Sequence, residues 1–223
     1  MSKKEIADKF AQQVIAAYGG EKKLRGLRDL TGKFKFVFYQ RGGDELDGSA
    51  TEYFKFPNKN CFEFIFPDLI MLNTCDGEKA WQCQDEKAPV EIDTERFIIH
   101  GRVRNFPLFL VENPPEWSYK GTVDIENLTG VHWIEIKYSE KEKVSLYVDP
   151  DTFLLARYQG PSRAMGNVKV TTVIHFQDYQ EVEGIPFAMH VTFLINVAKF
   201  QERWYQSISL NTNLPDQIFQ KPS

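Results

Sequence analysis

The chain has 223 residues, with 27 Lys and Arg against 31 Asp and Glu, a net charge of −4 and a pI near 5.7. That balance, without a clustered basic run, excludes the concentrated positive face that phosphate neutralisation requires, so no nucleic-acid partner is expected. Eighteen Phe within a 14% aromatic content point to a ring-rich interior, and no stretch reaches the roughly 18–20 apolar residues of a transmembrane segment.

A single β-rich domain over residues 1–223 is expected, since all-β folds commonly run this long as one unit. Residues 3–18 place Ile6, Phe10, Val14 and Ala17 at steps of three and four, and Gly19-Gly20 closes the segment, which predicts an amphipathic helix. So short a helix is unstable alone, so its Ile6/Phe10/Val14 stripe must dock on something apolar, expected to be a sheet. From Thr31 the period becomes two, putting Phe34, Phe36 and Phe38 on one face of a strand. Arg41-Gly42-Gly43-Asp44 reads as a turn, followed by strands over 50–56, with Phe54, and 61–66, where Phe62, Phe64 and Phe66 share a face. Strands over 70–75 and 78–83 are expected to form a hairpin around a two-residue Asp76-Gly77 turn, making five meandering strands.

Helical spacing returns over 93–104, with Asp93 or Thr94 as N-cap and Phe97, Ile98 and Val103 as the apolar side. Phe106–Val111 is almost wholly apolar, ends at Asn113-Pro114-Pro115, and reads either as core or as the lid of a cavity. Strands are then expected over 117–125, 130–138, 144–148, 154–158, 168–179, 187–198 and 203–211. Asp149-Pro150-Asp151-Thr152 and Glu183-Gly184-Ile185-Pro186 are the clearest turns between them. Hairpin after hairpin predicts a large antiparallel sheet or open barrel with a helical insertion after the fifth strand.

Chemistry is sparse. His100, His132, His175 and His190 are scattered, with no second ligand at a metal-binding interval, and read as surface or satisfied core residues. Ser145, Ser207 and Ser209 lie on expected strands without a nucleophile elbow. Asp44, Glu45 and Asp47 in one loop, and Asp149 with Asp151 in another, read as turn formers in solvent rather than paired catalytic carboxylates or metal ligands. No catalytic residue, metal ligand or cofactor is nominated. Of the three cysteines, Cys61, Cys75 and Cys83, the Asp76-Gly77 register sets Cys75 opposite Glu78 and Cys83 opposite Ile70, which forbids a Cys75–Cys83 bridge. A Cys61–Cys75 bridge is left open by the spacing, and buried free thiols are the plainer reading.

Several phrases recur at telling places along this pattern. They are Ala16-Ala17-Tyr18-Gly19-Gly20 closing the first helix, Asp76-Gly77-Glu78-Lys79-Ala80-Trp81 at a hairpin, and Asn105-Phe106-Pro107-Leu108 in the insertion. Leu146-Tyr147-Val148-Asp149-Pro150-Asp151-Thr152-Phe153-Leu154-Leu155 spans a second hairpin, and Asp178-Tyr179-Gln180-Glu181-Val182-Glu183-Gly184-Ile185-Pro186-Phe187 a third. Leu214-Pro215-Asp216-Gln217-Ile218-Phe219 closes the chain. In this order and spacing they resemble the outer-membrane lipoprotein-sorting (LolA/LolB-like) superfamily.

The resemblance implies an α+β, mainly β fold, in which a large curved antiparallel sheet forms an open half-barrel and the N-terminal helix and helical insertion cover its concave face. It further implies a non-catalytic carrier or sensor that binds lipid or lipoprotein acyl chains in an apolar cavity between sheet and helices. On that reading the candidate lining is Phe34, Phe36, Phe38, Phe54, Phe62, Phe64, Phe66, Phe106, Leu108, Phe109, Ile134, Ile136, Leu146, Met189 and Phe193. The same rings could instead interdigitate and leave no void. A periplasmic or exported location and a membrane-associated partner protein are implied as well. The chain departs from the family in lacking a signal segment and a lipobox cysteine, so a cytoplasmic location stays open. The alternative is a protein-interaction module on the same scaffold, with Trp117, Trp133, Trp204 and Tyr205 as exposed anchors.

Overall fold

The computed structural model describes residues 3–40, 42–85, 87–92, 94, 106–111, 117–137, 143–164 and 168–222. The helical expectation over 93–104, with Phe97, Ile98 and Val103, falls outside the described residues apart from Thr94, as do His100 and Asn113-Pro114-Pro115. The described strands are β1 (Asp29–Tyr39), β2 (Glu45–Lys55), β3 (Lys59–Phe66), β4 (Leu69–Cys75), β5 (Ala80–Gln84), β6 (Val90–Ile92), β7 (Trp117–Ile125), β8 (Leu128–Lys137), β9 (Lys143–Val148), β10 (Leu155–Ala164), β11 (Val168–Val182), β12 (Ile185–Ile195) and β13 (Ala198–Leu210). The described helices are α1 (Lys3–Ala17), α2 (Glu21–Arg25) and α3 (Phe106–Val111), and a 3-10 turn covers Asp216–Phe219. The chain is thus mainly β: one antiparallel sheet in the order β6-β5-β4-β3-β2-β1-β13-β12-β11-β10-β9-β8-β7, not closed into a barrel. Hairpins join neighbours in sequence, and the one distant pairing sets the first strand beside the last, Phe38 opposite Gln201 and Leu30 opposite Leu210.

Several expectations need correction: Glu45 and Asp47, read as part of a loop, lie on β2, which starts five residues before the expected strand. The β4–β5 hairpin pairs Cys75 with Ala80 and Leu72 with Cys83, so its turn holds four residues, Asp76 to Lys79, and Cys83 does not face Ile70. The Asp76 carboxylate explains this by accepting from the backbone N–H of both Glu78 and Lys79, at 2.8 Å each. A sixth strand, β6, precedes the insertion, too short to show a period. The expected strand over 187–198 instead turns at Asn196 and Val197, both with positive φ (48° and 67°), and β13 resumes at Ala198. A β-branched residue at such a position carries no turn signal.

The chain divides into two compact units, each discontinuous in sequence. Residues 1–25 and 106–200 form the first. In it α1 ends as the glycines require: Gly20 N–H reaches Ile15 O and Gly19 N–H reaches Ala16 O, a Schellman closure with φ of +90° at both. A side chain at Gly19 would meet Gly184 O at 2.1 Å, so the helix end approaches the β11–β12 turn as closely as only glycine permits. Lys23 Nζ donates to the same carbonyl. Beside this contact, Leu155 N–H donates to Tyr18 Oη at 3.1 Å, and Tyr179 Oη donates to Leu155 O at 2.8 Å. With its proton so used, Tyr179 accepts from Tyr18, 3.2 Å away. Phe10 and Val14 of α1 are buried, Phe10 stacking on Tyr119 at 5.1 Å and lying 5.0 Å from His132 and 6.3 Å from Phe153. Of the expected Ile6/Phe10/Val14 stripe, Phe10 docks on the sheet and Val14 is buried, while Ile6 is half-buried.

Residues 26–105 and 201–223 form the second unit, which holds β1–β6 and most of β13. Its C-terminal segment is strapped down by Asp29, 2% exposed, whose carboxylate accepts from Thr212 N–H at 2.6 Å, Thr212 Oγ1 at 3.1 Å and Asn213 N–H at 3.0 Å. The 3-10 turn lies on β3 and β4, buries Phe219 and pairs Asp216 with Lys55 and Lys59. Cys61, Cys75 and Cys83 are free and buried.

Candidate functional site

The second unit carries a continuous layer of phenylalanine rings. Alternation along β1 and β3 sends Phe34, Phe36 and Phe38 from one strand, and Phe62, Phe64 and Phe66 from another, to the same side, while β2 between them offers small or inward residues. Ala50 lies between Phe34 and Phe64 in register, and Gly48 opposite Phe36 leaves room for that ring, since a Cβ there would meet Phe36 Cζ at 2.6 Å. The rings meet edge to face at Phe34–Phe64 (6.1 Å), Phe36–Phe64 (5.4 Å) and Phe36–Phe66 (5.0 Å). Phe38 lies on Phe66, and Phe62 links the cluster to Phe54. Each such pair contributes about 0.5–1.5 kcal/mol beyond the area it removes from water.

Seven of the fifteen candidate lining residues, Phe34, Phe36, Phe38, Phe54, Phe62, Phe64 and Phe66, therefore come together. Phe38 alone among them is only half-buried. The other eight belong to the first unit. There Ile134 pairs directly with Leu146, Ile136 with Val144, and Phe193 with Ile174, all on strands, and Met189 lies half-buried on β12. Phe106 and Leu108 are buried on α3, which packs against α1 and α2 as core; the side chain of Phe109 is outside the described residues.

Sequence reasoning missed the polar members of the ring face. In register, Gln201, Arg203 and Tyr205 of β13 lie opposite Phe38, Phe36 and Phe34. The Arg203 guanidinium sits over three rings, 5.0 Å from the centre of Phe34, 5.6 Å from Phe62 and 5.7 Å from Phe64. Its Nε donates to Gln201 Oε1 at 2.9 Å. Tyr205 Oη donates to Glu52 Oε2 at 2.9 Å, and both residues are buried. This overturns the expectation of Tyr205 as an exposed anchor. Trp204 is 39% exposed, and adjacent residues of one strand face opposite sides, so alternation alone was the missed signal. Trp117 and Trp133 are half-buried, Trp133 donating its indole N–H to Ser145 Oγ.

Burial, helped by Glu63, pushes the Cys61 thiol up to about 12, and a hydrogen bond to Glu202 does the same for Tyr39. Asp149 is a turn former, its Oδ1 accepting from Asp151 N–H, Thr152 N–H and Thr152 Oγ1. Among the described residues no group of three His, Cys, Asp or Glu side chains is placed to hold a metal ion, and no helix is long and apolar enough to cross a membrane.

No family model matches the sequence, and no curated protein matches it. Solved structures do. An outer membrane lipoprotein-sorting protein domain from Vibrio parahaemolyticus is similar with a TM-score of 0.59 at 13% identity, covering 96% of each chain. A LolA superfamily protein from Nitrosomonas europaea has a TM-score of 0.63 at 13% identity, covering 95% of this chain and 97% of that one. A DUF1329 family protein from Desulfovibrio piger has a TM-score of 0.62 at 14% identity, covering 95% and 96%. The fold of this chain is the one shared by the lipoprotein-sorting and LolA superfamily structures.

Proposed function

We infer that the protein is a non-catalytic carrier or sensor of lipid or lipoprotein acyl chains, acting as one domain in the periplasm. The observation that carries this reading is the seven-ring face of the second unit, where apolar area from three adjacent strands is continuous. Each methylene withdrawn from water contributes about 0.8 kcal/mol, so a long acyl chain needs few polar contacts to be held. The likeness of the fold to a lipoprotein-sorting domain supports the same reading and the exported location.

Native mass spectrometry of freshly purified protein should reveal co-purified lipid, and a fluorescent fatty acid should bind and be displaced. Protein that is repeatedly empty and ignores such probes would count against the carrier reading.

A second reading rests on the opposite side of the same strands. In register, Trp204, Lys35, Ser49, Ile65 and Ile70 form one row, with Trp204, Ile65 and Ile70 exposed by 39, 43 and 47%. A protein partner docking there should be lost on Trp204→Ala and Ile65→Ser, while fatty-acid binding is unchanged. Loss of both activities together would contradict a separate docking row.

A further inference from the structure

The ring face is not purely apolar, and two of its polar neighbours on β13, Gln201 and Arg203, are arranged as donors. Arg203 presents a permanent positive charge whose apolar support is three phenylalanine ring faces. Because its Nε–H can only donate, the Gln201 amide must turn its oxygen toward it, which fixes the amide orientation. The amide nitrogen is thereby turned elsewhere. Gln201 is 2% exposed, and among the described residues its Nε2 has no hydrogen-bond partner. A buried donor without an acceptor is unfavourable, and here it lies one strand residue pair from a guanidinium on the same side of β13.

We propose that Gln201 and Arg203 recognise the anionic head of the acyl ligand, so that the ring face takes an acidic amphiphile, with a carboxylate or phosphate head, in preference to a neutral lipid. The inference rests on the carrier reading above and names the ligand class for that site. An acidic head would give the Gln201 amide its missing acceptor and place negative charge beside the guanidinium, in surroundings where rings rather than water set the local dielectric. The carboxylate that shares this face, Glu52, has one oxygen taken by the Tyr205 hydroxyl. It is the acidic group on the ring side of β2, so Glu52→Gln should tighten acid binding.

The test varies the head and holds the chain constant. Hexadecanoate, hexadecyl phosphate and hexadecanol compete with a fluorescent acyl probe on the whole protein at about pH 8, where both acids carry charge. At least one acid should bind about tenfold more tightly than the alcohol. Arg203→Met, which keeps the stem on the rings, should bring acid and alcohol within about twofold while leaving the alcohol unchanged. Gln201→Leu should weaken the acids about threefold or more, and Arg203→Lys should retain part of the preference, which keeps the test decisive if the Met variant misfolds. The ranking of carboxylate against phosphate identifies the head in either direction. Equal affinity for all three ligands, or a preference that Arg203→Met and Gln201→Leu leave intact, overturns the head site and spares the carrier reading. Failure of all three to bind overturns both.

Discussion

Each unit buries apolar side chains against its own strands by different means, and the contrast separates what is specified by polar contacts from what is specified by shape. The first unit uses a helix. Phe10 presses on β7, β8 and the β9–β10 turn, and a three-oxygen, one-amide cluster of Tyr18, Tyr179 and Leu155 fixes where the helix ends. The second unit uses rings from its own strands, locked edge to face, and seats a guanidinium on them. Apolar stripes alone slide; hydrogen bonds and glycine contacts supply the register in one unit, and ring geometry supplies it in the other.

The largest effect is expected where shape does the specifying. Phe36 is 1% exposed and touches Phe34, Phe38, Phe64 and Phe66, so Phe36→Ala should cost about 3–5 kcal/mol in urea unfolding. A loss under about 1 kcal/mol would mean that the rings are loosely packed and collapse around the gap, which would break the contrast. Next comes the helix end of the first unit. Gly19→Ala places a side chain at a φ of +90° and drives it into Gly184 O, which should cost about 2–4 kcal/mol. Gly20→Ala shares the φ with open space around it, so the difference between the two variants isolates the close approach from the backbone strain. If the two lose equal stability, the contact with the β11–β12 turn contributes nothing.

Tyr18→Phe should follow at about 1–3 kcal/mol, since it removes the acceptor of the Leu155 N–H and the donor to Tyr179 while preserving the ring. Hydrogen exchange at Leu155 should accelerate more than exchange at β1 or β3. Uniform acceleration across both units would show that the cluster does not act locally.

These contacts also show what could be read from the residues alone. The period-two runs of Phe34 to Phe38 and Phe62 to Phe66 were enough to place three rings on one face of each strand, because alternation is a local property. The open antiparallel fold was legible from hairpin spacing and the resemblance, down to most strand limits. What the familiar phrases actually build was not legible. Tyr18-Gly19-Gly20, Leu154-Leu155 and Tyr179 to Gly184 come from three distant segments, and they meet as the clamp that ends α1. Arg203 and Gln201 escaped notice for the same reason: their place opposite Phe36 and Phe38 depends on β13 pairing with β1, a contact that joins the two ends of the chain. The β4–β5 register slipped because Asp76 caps two amides and lengthens a turn that Asp-Gly alone would make short.

The smallest effect separates the units by pH. The described histidines, His132, His175 and His190, all lie in the first unit. His132 is enclosed by Phe10, Tyr119 and Phe153, with Nδ1 2.9 Å from the Tyr119 hydroxyl, and burial lowers its pKa below the ordinary 6.5 against the opposing pull of Asp149. His175 is lowered in the same direction, again by burial first, with Glu126 opposing and Arg157 reinforcing. A lowered histidine is neutral in both states above 6.5, so its folded surroundings cost nothing there. As the pH falls through 6.5 the unfolded chain takes the proton first, and stability declines until the folded value is passed. Urea midpoints should therefore fall between pH 7.5 and 5, and His132→Phe should flatten part of that slope, with amide exchange in α1 quickening before exchange in β1 to β3. Midpoints that hold constant or rise on acidification would show that His132 is protonated inside the folded unit at no cost, contrary to its ring-lined setting.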